Sequence, residues 1–190
     1  MSELGVNLSR YLLRACIGGT MIAHGVRHGR TLEGTGRWFG SIGFRQPALQ
    51  AAMSSAVEIG AGAAVLAGAA TPVAASAVVG TMAVAGVSVH RENGFFVVSE
   101  GYEYVLFISA ASVALAAMGA GPWSVDAALG LDRKLSGGKV AAAAALLGLA
   151  GATAQLAAFW RRPAPAPAGT ATPAPAPAPA ADEDETPARS

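Results

Sequence analysis

Cysteine occurs once, at Cys16, so the chain can build no intramolecular disulfide, no Cys-x-x-Cys relay and no cysteine metal cage. Charge is also scarce. Only 13% of residues are charged against 53% apolar, too few to clothe an ordinary soluble domain. A formal net charge of +1, with no Lys/Arg cluster interleaved with aromatics, leaves no electrostatic footprint for nucleic acid. Lysine is nearly missing, two against eleven arginines, and with the abundant Ala and Gly this is the coding bias expected of a high-GC bacterium. Phosphate-loop, dinucleotide and Gly-x-Ser-x-Gly fingerprints are lacking; Gly34-x-Gly36 follows no strand and sits in a basic loop, so it reads as a turn.

What the sequence has in quantity is long apolar runs. The first extends from Asn7 to Val26, near the roughly 20 residues that span a hydrocarbon core. Arg14 lies inside it and no small-residue cleavage site follows, so it reads as a retained helix and not a signal peptide. Arg27 to Pro47 carries Arg27, His28, Arg30, Arg37 and Arg45 around Trp38 and Phe39, the pattern of a short helix in the membrane interface. A second run, Ala48 to Ala69, turns at Thr71-Pro72 into a third that ends near His90, making a helical hairpin. A polar connection leads to a fourth, Tyr102 to Met118, closed by Gly119, Gly121 and Pro122. The fifth, Lys139 to Trp160, is almost pure Ala, Leu and Gly between interface anchors. Strands fit poorly, because the runs are long, Ala-rich and without alternating polarity.

These runs predict an all-α membrane protein, a four-helix transmembrane bundle with a fifth C-terminal transmembrane helix, placed as a multi-pass protein in a bacterial inner membrane. The expected organisation is a bundle over 1–127, a linker and fifth helix over 128–162, and a disordered Ala/Pro-rich acidic tail over 163–190. Seven basic residues near helix ends on the loop-one side, against five on the other, lean toward a cytoplasmic loop one and tail. Small residues recur every fourth position at Ala52, Ala56, Gly60, Ala64 and Gly68, and again at Ala144, Gly148 and Ala152, stripes that suit close packing between helices and leave a homo-oligomer open.

Ionisable groups inside a bilayer are costly, so each is a functional hypothesis. Glu58 falls near the middle of the second run and Arg14 at what reads as a comparable depth in the first; the two are expected to pair across antiparallel helices, as a structural ion pair or as a substrate- or proton-handling couple. Alternating helix direction also gathers His24, Arg27, His28, Trp38, His90, Glu100 and Glu103 at one end. His24 and His28 are four apart, a spacing that can bind a metal, but no His-Glu-x-x-His or Cys ligand accompanies them and no metal is assigned. The same set suits a quinone headgroup, whose carbonyls need donors such as His24 or Arg27 beside an aromatic wall such as Trp38, with an acid to exchange protons.

Four stretches then carry a likeness. They are Arg14 through His24-Gly25, Trp38-Phe39 followed by Ser41-Ile42-Gly43, Val57-Glu58-Ile59-Gly60 with Gly62, and Gly119-Ala120-Gly121-Pro122-Trp123-Ser124-Val125-Asp126. With Asn93-Gly94-Phe95-Phe96 and Gly101-Tyr102-Glu103 between them, in this order, the chain resembles the DoxX family of small bacterial membrane proteins over roughly residues 7 to 127. The resemblance implies a four-helix membrane bundle to which the fifth segment and tail are additions. Where the family continues from His-Gly to a lysine, this chain has Arg27 and His28. It further implies a membrane subunit of a quinone-linked oxidoreductase or a thiol and oxidative-stress complex, with soluble partners such as a sulfurtransferase or superoxide dismutase. On that reading Arg14, His24, Glu58 and Glu103 line the polar interior, and Arg27, Trp38 and His90 complete the quinone-site candidates. A non-enzymatic anchor that recruits soluble redox enzymes is the alternative, and a small-solute carrier a third.

Overall fold

A computed structural model describes residues 2–164. The Ala/Pro-rich acidic tail lies outside the described residues apart from Pro163 and Ala164. The described chain is helical: α1 (Glu3–Arg30), α2 (Leu32–Ser41), α3 (Pro47–Ala67), α4 (Thr71–Ala85), α5 (Glu103–Met118), the single turn α6 (Val125–Ala128) and α7 (Gly138–Phe159). α4 runs on without a break as a π-helix over Gly86–His90 and a 3-10 turn over Arg91–Asn93. Pro47–Ala67, Thr71–Asn93 and Gly138–Phe159 are each long and apolar enough to cross a bilayer, and α5 is a shorter apolar helix beside them. The chain is thus an all-α membrane protein in which α1, α3, α4 and α5 form the central bundle and α7 packs on α4 and α5.

Lipid tails supply little hydrophobic drive between helices, so contact depends on how closely backbones can approach. α1 and α3 meet where glycine faces glycine: a Cβ on Gly18 would lie 2.7 Å from the Gly62 carbonyl, and one on Gly62 would lie 2.8 Å from that of Gly18. α4 and α7 repeat the device, with the place of a Gly148 Cβ only 2.5 Å from the Ser76 carbonyl. The Ala144, Gly148, Ala152 stripe is therefore the buried face of α7. The other small-residue stripe behaves differently. Ala52, Ala56 and Gly60 are exposed, and α3 packs through Ala51, Ser55, Glu58, Gly62 and Val65, because Gly18 and Gly25 of α1 select that face.

The α3–α4 hairpin is clamped from outside. Gly68 ends α3 in the left-handed region; its N–H reaches Val65 O at 3.1 Å, but the carbonyls of this last turn remain short of donors. Arg14 supplies them: its Nε donates to Val65 O and Leu66 O at 3.2 Å, Nη2 to Leu66 O at 2.5 Å, and Nη1 to Ala120 O at 3.0 Å and Trp123 O at 2.8 Å. A cation on a helix C-terminus also complements the helix dipole. Asp126 does the converse at the start of α4, accepting from Ala70 N at 2.7 Å, Thr71 N at 2.9 Å and the Thr71 hydroxyl at 2.7 Å. That grip holds Ala70 at φ 45, an unfavourable conformation for a residue with a Cβ.

α7 is joined to the bundle at its far end as well. Arg45 N donates to Phe159 O at 2.7 Å, Arg161 N to Gly43 O at 3.0 Å, and the Trp160 indole to Ile42 O at 2.8 Å. α7 thereby closes one wall of the interior beside α2 and α3.

Candidate functional site

Glu58 owes its position to Gly25. A Cβ at Gly25 would lie 2.9 Å from the Glu58 Cβ, so the bare backbone of α1 is what lets Glu58 tuck between the helices with 5% of its surface exposed. The Ser54 hydroxyl, one turn earlier, donates to its Oε1 at 2.8 Å. His28 reaches it from the last turn of α1, with Nδ1 3.1 Å from Oε2. The two atoms are close without being aligned: both are buried, and neither has a directed hydrogen bond among the described residues. A buried polar atom without a directed partner is costly, so this couple is predisposed to engage a further donor or acceptor.

On either side of the couple the bundle is hollow. A cavity of about 370 Å³ lies toward α2, α3 and α7, walled by Phe39, Phe44, Met53, Val84 and Phe159, with Gln50 and Gln155 among them. A second, of about 510 Å³, lies toward the ends of α1 and α4 and the start of α5, and its wall carries His24, Arg27, Thr31, His90 and Tyr104. Glu58, His28 and Trp38 line both and form the partition. Residues 85 and 89, in and beside the π-segment, also face both cavities. A π-helix is a rare widening of the backbone that recurs at functional sites, and here it brings His90 into the second cavity.

The structure sorts the expected site residues into three groups. Glu58, Trp38, His24, Arg27 and His90 surround the two cavities. Arg14 does not meet Glu58. The glycine contacts set a register in which Arg14 lies beside Gly68 at the end of α3, about ten residues or ~15 Å along the helix from Glu58, and its guanidinium is used on carbonyls. Glu103 does not line either cavity; its Oε2 accepts from Val97 N at 2.9 Å and holds the loop before α5. His90 and Glu100 do meet, through His90 Nδ1 and the Glu100 carbonyl at 2.6 Å.

Several wall residues went unread in the sequence. Gln50, Ser54 and Glu58 form a polar stripe at four-residue spacing on α3, a signal present in the sequence but masked by the surrounding alanines. Gln155 donates to the Gln50 amide oxygen at 2.9 Å, which only the packing of α7 could reveal. Tyr104 stacks near His24, ring centroids 6.4 Å apart, and His24 lies 6.3 Å from His28 in an edge-on arrangement. Among the described residues no three His, Cys, Asp or Glu side chains converge as a metal set.

No curated protein and no solved structure matches the chain. A family model does: DoxX, over residues 10–91, the stretch that runs from α1 through α2, α3 and α4 to the end of the π-segment and so contains Glu58, His28, Trp38 and His90. Over that stretch, which is less than half of the chain, the protein is similar to the DoxX family.

Proposed function

We propose that the protein is the quinone-binding membrane subunit of an oxidoreductase or oxidative-stress complex in a bacterial inner membrane. The observation that carries this reading is the aromatic, largely apolar cavity ending on the buried Glu58–His28 couple. Its volume of about 370 Å³ falls in the range of roughly 300–1,000 Å³ typical of small-molecule sites. A quinone is a flat apolar ring with two polar oxygens. Phe39, Phe44 and Phe159 suit the ring, and the few polar groups suit the oxygens.

The chemistry a quinone supplies is transfer of two electrons coupled to two protons. What this chain offers is recognition of both redox states. An ionised Glu58 accepts a hydrogen bond from a hydroquinone hydroxyl, and a protonated Glu58 donates to a quinone carbonyl, with Ser54 fixing the other carboxyl oxygen. Gln50, whose carbonyl is already occupied by Gln155, keeps its amide hydrogens for a second ligand oxygen. Electrons would come from a soluble partner, a sulfurtransferase or superoxide dismutase complex being the class that the family suggests. Quinone extracted per mole of purified protein tests the reading: wild type should carry quinone, and Glu58→Gln and His28→Ala should lose it. Preparations rich in native lipid but free of quinone would refute it.

A second reading, a non-enzymatic anchor for soluble redox enzymes, is favoured by one feature. Between the π-segment and α5 the loop presents Phe96 and Val98, 65% and 91% exposed, on a backbone tied by Gly101 N to Phe96 O and Glu103 N to Phe95 O. If Phe96→Ser with Val98→Ser leaves copurifying soluble proteins unchanged, that surface recruits nothing.

A further inference from the structure

The second cavity has a chemistry of its own. Arg27, His24, His28 and His90 face it from α1 and the π-segment, Tyr104 from α5 and Thr31 from the start of α2. Glu58 is the one acid in its wall, and it already faces His28. Of the other acids nearby, Glu33 pairs with Arg37, Glu92 with Arg162 and Glu103 with the Val97 amide, while Glu100 is exposed, lines neither cavity and meets His90 only through its backbone carbonyl. Arg27 by contrast has no carboxylate within salt-bridge distance among the described residues. An unpaired guanidinium lining a partly enclosed cavity, with histidine, tyrosine and threonine donors around it, is the donor set that holds an oxyanion.

We propose that this cavity binds a phosphate group, and that its source is the headgroup of an anionic phospholipid. Two observations and a general precedent select phosphate esters of the bilayer. The cavity is formed where α1 ends and where the apolar span Thr71–Asn93 ends, so it lies toward one end of the hydrophobic layer, where headgroup phosphates are concentrated. Basic pockets between transmembrane helices are known to accept such headgroups. Beside it, the first turns of α5 send Tyr104 and Val105 into the wall while Leu106 and Phe107, 54% and 70% exposed, offer an outward apolar track to an acyl chain. Arg27 supplies the bidentate fork, and His24 and Tyr104 supply further donors. His90 has its Nδ1 on the Glu100 carbonyl, so that nitrogen carries the hydrogen and only an imidazolium form would also donate through Nε2. The site shares its partition with the proposed quinone cavity but does not depend on a quinone being bound.

The test uses the full chain in mild detergent, stripped of lipid, with added phosphatidylglycerol, phosphatidylcholine or inorganic phosphate, read by native mass spectrometry and by thermal shift. Wild type should retain phosphatidylglycerol in preference to phosphatidylcholine. Arg27→Gln should bind it about tenfold more weakly, the loss of one charge-assisted fork. Arg37→Gln, outside the cavity, should match wild type. Inorganic phosphate that binds as tightly as the lipid, with the same dependence on Arg27, would uphold a phosphate site and overturn its lipid source. Equal lipid binding by wild type and Arg27→Gln, in protein of unchanged melting temperature, would overturn the site itself. Lipid binding by Gln50→Leu, a residue of the first cavity alone, separates the two proposals, since phosphatidylglycerol retention should be unchanged whether or not quinone is lost.

Discussion

Replacing Arg14 with methionine removes a charge from the bundle while keeping most of the side chain's length. Arg14 is 7% exposed and donates to the carbonyls of Val65, Leu66, Ala120 and Trp123. Two of these belong to the last turn of α3 and two to the segment after α5, so one guanidinium ties together two parts of the chain far apart in sequence. A hydrogen bond from a charged donor contributes about 1.5–3 kcal/mol net, but the bonds share one side chain and do not add. Orphaning buried carbonyls costs about 1–3 kcal/mol each, and water reaching them at the helix end would recover part of that. The sum points to a loss of about 4 kcal/mol, a factor of about 10³ in the folding equilibrium. Equilibrium unfolding in mixed micelles, followed by tryptophan fluorescence, measures it. Arg14→Lys should recover only part, because a compact ammonium cannot span both carbonyl pairs. If Arg14→Met unfolds within about 1 kcal/mol of wild type, the capping argument is wrong.

Removing the matching anion with Asp126→Ala should cost about 2–4 kcal/mol in the same assay, since Ala70 N, Thr71 N and the Thr71 hydroxyl lose their acceptor together. Ala70→Gly should raise stability by about 1 kcal/mol, because glycine adopts φ 45 without strain; a destabilised variant would contradict that assignment. Gly25→Val should part α1 from α3, lowering both the melting temperature and quinone content, whereas Gly19→Ala, which meets nothing within 4 Å, should change neither. Gln50→Leu should lower quinone retention without a large loss of stability, if its free amide hydrogens meet a ligand oxygen as proposed; unchanged retention would remove Gln50 from the site.

Length and hydropathy were enough to show the long helices and their approximate ends, because a bilayer demands long unbroken apolar runs and satisfied backbone groups. Glu58 stood out for the same reason, as a carboxyl in the middle of such a run. The sequence also carried His24-Gly25 and Glu58-Ile59 as separate motifs, with no sign that Gly25 lies against Glu58. That contact, and the failure of Arg14 to reach Glu58, follow from the register between α1 and α3. Periodicity specifies register poorly when small residues occur on every face: the exposed stripe through Ala52 and Gly60 offers close approach just as the buried one through Ser55 and Gly62 does, and Glu58 marks a face without saying which helix meets it. Only close backbone approach at Gly18, Gly25 and Gly62 chooses between them. In the same way the pairing of Gln50 with Gln155, the π-segment that admits His90, and the grip of Asp126 on a turn 55 residues earlier are products of packing. Composition and hydropathy determined which solvent this chain folds in and which residues are costly there; the tertiary structure decided which of those residues meet, because side-chain contacts across helices depend on offsets of a few ångströms that no single segment encodes.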